Sequence, residues 1–118
     1  MRVIHSQLLG IDQGSVVMFS DFEDDGPMWA GSGERTMRHR VRFDEGFRAP
    51  PVVRVWLGMW DTDHRVNARA DITAENITAE GFEIVFTTWG DSRLARVRAE
   101  WLALGEVDHP DDDAWAAL

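Results

Sequence analysis

The chain has 118 residues, 44% of them apolar, no cysteine and a formal net charge of −9, which suits one globular domain with a core of its own. That charge argues against a general nucleic-acid binder, which needs a basic face, and against attachment to an anionic membrane surface. The missing cysteines exclude disulfides, thiolate nucleophiles and cysteine metal sites.

The chain opens on Met1-Arg2-Val3-Ile4-His5-Ser6, which carries no long apolar stretch of the secretory kind. No apolar run is long enough to span a bilayer. The expected location is the cytoplasm, or the outside by a route that leaves no mark in the sequence. Val16 to Phe19 is a candidate strand, and Glu23 to Gly33, rich in Gly, Asp and Pro, reads as a long loop. Within it, Asp24-Asp25-Gly26 lacks the twelve-residue acidic register of an EF-hand, and Gly31-Ser32-Gly33 lacks the Lys-Ser/Thr that completes a phosphate loop.

His39, Val41 and Phe43 alternate with Arg38, Arg40 and Arg42, the pattern of a strand with one inward and one cationic face. Ala49-Pro50-Pro51 breaks it. From Val52 to Trp60, Val53, Val55, Leu57 and Met59 line one face, and Arg54, Trp56, Gly58 and Trp60 the other. Asp61-Thr62-Asp63-His64 is a loop. Asp61 and Asp63, beside His64, are weak candidate metal ligands, because hard cations take carboxylate oxygens; the rival reading is a solvated loop that ends a strand. Asn67 to Thr73 alternates again. Asn76-Ile77-Thr78 is a formal glycosylation acceptor that reads as a sheet-end turn. After the Glu80-Gly81 turn, Phe82, Ile84 and Phe86 share a face; Gly90-Asp91-Ser92 is the next turn. A last strand runs from about Arg93 to Leu104, with Ala95, Val97, Ala99, Trp101 and Ala103 inward.

About six short strands without a convincing helix predict an all-β fold, a six-stranded antiparallel β-sandwich over residues 1–107. Residues 108–118 form an acidic tail whose Trp115 and Leu118 are available to dock on a neighbour. Arginines gather at 35–42 and 93–98 and acids at 21–25 and 111–113, a distribution that suits self-association as well as ligand binding. Catalysis finds little support. His5, His39, His64 and His109 are scattered, no nucleophile elbow is present, and only an unplaced pair of glycosidase-type carboxylates stays open.

Four segments follow one another in a specific order: Val41-Arg42-Phe43 with Phe47 and Pro50-Pro51-Val52-Val53; Trp60-Asp61 with Asn67-Ala68-Arg69; Asn76-Ile77-Thr78 with Gly81-Phe82; and Thr88-Trp89-Gly90-Asp91 ending in Trp101-Leu102-Ala103. This ordered set resembles the H-type lectin family, known from snail agglutinins and the C-terminal domain of slime-mould discoidins. The resemblance implies a homotrimer, sometimes stacked into a hexamer. It also implies binding of galactose-type glycans, chiefly N-acetylgalactosamine, in clefts between subunits, with no cofactor. In that family one subunit supplies the arginine of the Asn-x-Arg segment and an acid from the loop before the Phe43-type strand. The neighbour supplies the Thr-Trp tryptophan, the residue after it and a later aromatic. Arg69 matches the arginine and Trp89 the tryptophan. Gly90 stands where snail agglutinins carry histidine, Ala95 where they carry tyrosine, and the family aspartate falls near Ser32 to Glu34.

The residue types suit that role. Arg69 can donate two parallel hydrogen bonds to vicinal hydroxyls, Trp89 can stack on a sugar ring, and Asp91 can accept charge-assisted bonds. Each has a structural alternative: a salt bridge from Arg69 to Asp71 or to an acid of the next subunit, packing for Trp89, and turn chemistry for Asp91. The expected carbohydrate contacts are Arg69, Trp89, Gly90, Asp91 and Ser32, in a multivalent lectin used for adhesion to cells. The competing expectation is a trimeric assembly module that kept the fold and lost the sugar site.

Overall fold

The structure, a computed structural model, describes residues 1–5 and 8–108; His109, the acids at 111–113, Trp115 and Leu118 lie outside the described residues. Six strands and one helical turn follow in the order β1 (Leu9–Ser20), α1 (Pro27–Ala30), β2 (Arg35–Arg42), β3 (Val52–Thr62), β4 (Asp71–Glu75), β5 (Gly81–Thr88) and β6 (Leu94–Glu106). They form two antiparallel three-stranded sheets, β1-β6-β3 and β2-β5-β4. Among the described residues no helix is long and apolar enough to cross a membrane.

The core lies between the sheets. β6 offers small inward residues, Ala95, Ala99 and Ala103, between Val97 and Trp101, and β5 fills the space with Phe82, Ile84 and Phe86. Large against small across facing layers is what close packing requires. Trp101 packs edge to face on Phe82, centroids 5.4 Å apart, and Phe43 stacks on Phe82 at 5.7 Å.

Three expectations are corrected. β1 begins at Leu9 rather than Val16. Its alternation is inverted, with Leu9, Ile11 and Val17 exposed while the small Gly10 and Gly14 face inward. Gly14 is small for a reason, since a Cβ there would stand 2.7 Å from the Trp101 indole nitrogen. The Glu23–Gly33 loop contains a helical turn, with Pro27 at its start and Met28 buried. His39 shares the inward side of β2 by alternation, yet is exposed on that edge strand.

The two outer faces differ. On β2-β5-β4 the outer side is polar, with Arg38 bridging Glu83 and Glu75. On β1-β6-β3 it is mixed: one end carries an apolar row, in which Ile11 lies opposite Leu104 and Leu104 opposite Val52 on the other side of β6, Val17 and Trp56 are also exposed, and the other end carries the Arg98–Glu100 and Arg96–Asp61 ion pairs. Arg40 lies on β2 and Arg96 on β6, in opposite sheets.

Candidate functional site

One pole of the sandwich gathers the start of β2, the ends of β3 and β5, and the start of β6. There the irregular segment Asn67-Ala68-Arg69 is clamped by two buried hydroxyls. Ser92 Oγ donates to the Asn67 carbonyl at 3.0 Å and accepts from the Arg69 amide at 2.9 Å. Thr88 Oγ1 donates to the Arg69 carbonyl at 2.5 Å. Ser92 and Thr88 have no exposed surface, so the backbone of Arg69 is held by groups that water does not compete for.

With its backbone held, the Arg69 side chain reaches Asp91, and Arg69 Nη1 donates to Asp91 Oδ1. Asp71, the partner considered from sequence, is not the one it takes. The bond from Arg69 keeps the Asp91 carboxyl below the ordinary carboxylate range. One guanidinium with N–H groups to spare and one largely exposed carboxylate thus stand side by side. That is a donor fork next to an acceptor, the set that adjacent hydroxyls require.

Gly90, between Trp89 and Asp91, has φ +69°, and a Cβ there would stand 3.0 Å from Arg69 Nη1. Gly90→Ala is therefore expected to cost about 1–2 kcal/mol from the left-handed backbone alone and to displace the Arg69 guanidinium. A thermal melt reads the first effect; an unchanged melting temperature would contradict it. The Gly90 carbonyl accepts from Gly33 N at 2.9 Å and from Arg35 Nη2 at 3.2 Å, which brings the Ser32 loop beside the Arg69–Asp91 pair. Ser32 itself is exposed. Trp89 is 43% exposed, so it is not a core residue.

Arg35 organises this pole and stands out in the sequence only as one member of a cationic run. Its guanidinium donates to the carbonyls of Pro27, Met28, Gly31 and Gly33 as well as Gly90. Five carbonyls around one side chain fix α1 and the Ser32 loop against the β5–β6 turn.

Asp63 follows the end of β3, as expected, in a loop where His64 and Arg65 are exposed, but it is not itself solvated. Its side chain is buried and takes a fork from Arg65, at 2.9 Å from Nε and 2.8 Å from Nη2, plus the Arg65 amide at 3.0 Å. Arg93 Nε lies 3.7 Å away. These hydrogen bonds from Arg65 hold the carboxyl well below the usual range. Because the folded-state pKa is the lower one, its contribution to stability is present above about pH 4 and is lost as pH falls toward the folded value. Asp63→Asn is expected to lower the melting temperature at pH 7 and to flatten its decline below pH 4. Parallel acid limbs in the two proteins would refute this. Asp61 faces Arg96 at 3.4 Å, so both carboxylates weighed as metal ligands face guanidinium groups. No cluster of three His, Asp or Glu side chains suited to a metal ion occurs among the described residues.

The model of the H-type lectin domain family matches residues 38–104. The chain is 57% identical over 107 residues to a Fuscovulum blasticum protein described as "ATP synthase subunits region ORF 7", covering 91% of each. It is 31% identical over 77 residues to discoidin-2 of Dictyostelium discoideum, covering 64% of this chain and 30% of that one. In structure it is similar to recombinant discoidin II of the same organism, with TM-score 0.74 and 23% identity over 92% of this chain and 41% of that one. The chain thus spans less than half the length of the discoidins.

Proposed function

The chain belongs to the H-type lectin domain family of carbohydrate-binding domains, and from that premise we propose a multivalent lectin for galactose- and N-acetylgalactosamine-type glycans, with its sites at subunit interfaces and no catalytic step. The observation that carries this reading is the Arg69–Asp91 pair, whose arginine backbone is held by buried hydroxyls, with an exposed Trp89 two residues before Asp91 in the chain. A galactose-type sugar offers adjacent hydroxyls on one side and an apolar ring face on the other. Arg69 and Asp91 suit the first. Trp89, from the same or a neighbouring subunit, suits the second.

The assembly belongs to the mechanism. Shallow sugar sites are weak one at a time, and a homotrimer, or two stacked trimers, raises avidity by about 10² to 10⁴ when glycan spacing matches. The apolar row of Ile11, Leu104 and Val52 on the outer side of β1-β6-β3 is the patch best suited to the trimer contact, since its burial releases water from apolar surface. Cell adhesion follows from such a particle when it bridges glycans on two surfaces.

The test is a glycan array probed with the labelled, assembled protein, with and without calcium. Binding confined to terminal galactose-type sugars, unchanged by chelation, is the expected result. A blank from a confirmed oligomer would leave the fold an assembly role only, the reading that the departures at Gly90 and Ala95 favour.

A further inference from the structure

The same pole carries a second concavity of about 330 Å³, lined by Ser20, Phe22, Glu23, Trp29, Asp61 and Arg96. α1 serves both places: its carbonyls are gripped by Arg35 beside Gly90, and its Trp29 lines this pocket. The aromatic wall is built from several elements. Phe22 meets Trp29 edge to face with centroids 4.9 Å apart. The Arg93 guanidinium lies 4.4 Å over the Trp29 ring, and Arg93 is itself paired with the buried Asp63. That chain of contacts positions Trp29 from beneath and leaves Phe22, 56% exposed, open to solvent.

Opposite the rings stands the Asp61–Arg96 pair, 3.4 Å apart and about half exposed on both sides. A single contact between them leaves a carboxylate oxygen and several guanidinium N–H groups for a ligand. The Ser20 hydroxyl and the Glu23 carboxylate complete the rim. Ala95, which also lines the pocket, is the one position shared with the sugar-contact set that the family resemblance implies; the other side chains lie outside the Arg69 site. A wholly apolar ligand would strip water from Asp61 and Arg96 without replacing its hydrogen bonds. Two carboxylates on the rim oppose an anion. A neutral ring with one apolar face and a fan of hydroxyls meets both conditions.

We propose that this pocket is a second carbohydrate site, distinct from the Arg69 site, which takes a neutral hexose against Phe22 and Trp29 with its hydroxyls on Asp61 and Arg96. The ligand class rests on the lectin reading; the site rests on the pocket.

Amide and indole NMR of the ¹⁵N-labelled assembled protein tests it, with galactose, N-acetylgalactosamine, glucose and mannose each titrated in. The Trp29 indole and the Ser20 and Phe22 amides are expected to move with one of these sugars. The shifts should persist in Arg69→Ala and weaken at least tenfold in Asp61→Asn, a substitution at an exposed position. Shifts at Gly90 and Asp91 with a silent Trp29 would overturn the second site and leave the lectin reading standing. Shifts at Trp29 with silent Gly90 and Asp91 would uphold this pocket and remove the Arg69 site. Silence at both, or Trp29 shifts unaltered in Asp61→Asn, would also overturn the assignment.

Discussion

Arg69→Ala is expected to weaken glycan binding by about 100-fold or more while the oligomer and the melting temperature stay close to those of the parent. The arithmetic is short. A hydrogen bond to a charged group contributes about 1.5–3 kcal/mol, and a guanidinium fork supplies two; loss of even 3 kcal/mol is about a 100-fold change in affinity. The fold should survive, because what secures this segment is its backbone. Ser92 and Thr88 bind the Asn67 and Arg69 main chain, and the substitution touches neither. Asp91 loses its partner but is exposed enough to be hydrated, so no buried charge is stranded. Arg69→Lys is the informative companion. It keeps the charge and loses the planar fork, and should recover the ion pair without recovering full affinity. Array binding and sedimentation, measured on the same preparations, separate the outcomes. Undiminished binding would remove Arg69 from the site, and dissociation of the oligomer would make it an interface residue.

The legible parts of this chain are those where burial follows a simple period. β3, β5 and β6 were legible because each buries one side against the other sheet, and their inward sets follow the expected ones, except that Val85 on the other side of β5 is buried as well and Met59 of β3 lies outside the core cluster. β1 hid because its outer face is apolar and its inner face is Gly10, Asp12 and Gly14, a reversal that makes sense once Trp101 occupies the space. The site was legible only in its tips. Arg69 and Trp89 could be named from the family resemblance and Asp91 from its own acceptor chemistry, and the structure brings Arg69 and Asp91 into contact. The groups that hold the tips were not legible. Ser92 reads as a turn residue, Thr88 as the end of a strand, Arg35 as surface charge and Asp63 as a solvated acid. Each acquires its role through partners distant in the chain, 25 residues away for Ser92 and Asn67 and 55 for Arg35 and Gly90. Local pattern carries no record of such pairings.

The second large effect should come from the outer face of β1-β6-β3. Ile11 is 67% exposed, and the row it forms with Leu104 and Val52 crosses all three strands. A domain that leaves such an apolar row open has a surface suited to a second copy of itself. Ile11→Glu puts a carboxylate into that row. In the isolated chain the substitution is at an exposed position and costs little. In a trimer it brings three like charges together in an apolar contact, which is costly both by desolvation and by repulsion. The expected result is a folded monomer by sedimentation at micromolar concentration, with array binding reduced by about 10² to 10⁴ as multivalency is lost. The affinity for a free monosaccharide then carries the deeper information. If a neighbour supplies Trp89 to each cleft, monosaccharide binding falls with the trimer. If Arg69, Asp91 and Trp89 of one chain form the whole site, it is unchanged and only avidity is lost. A trimer that persists with Glu at position 11 would move the interface off this sheet.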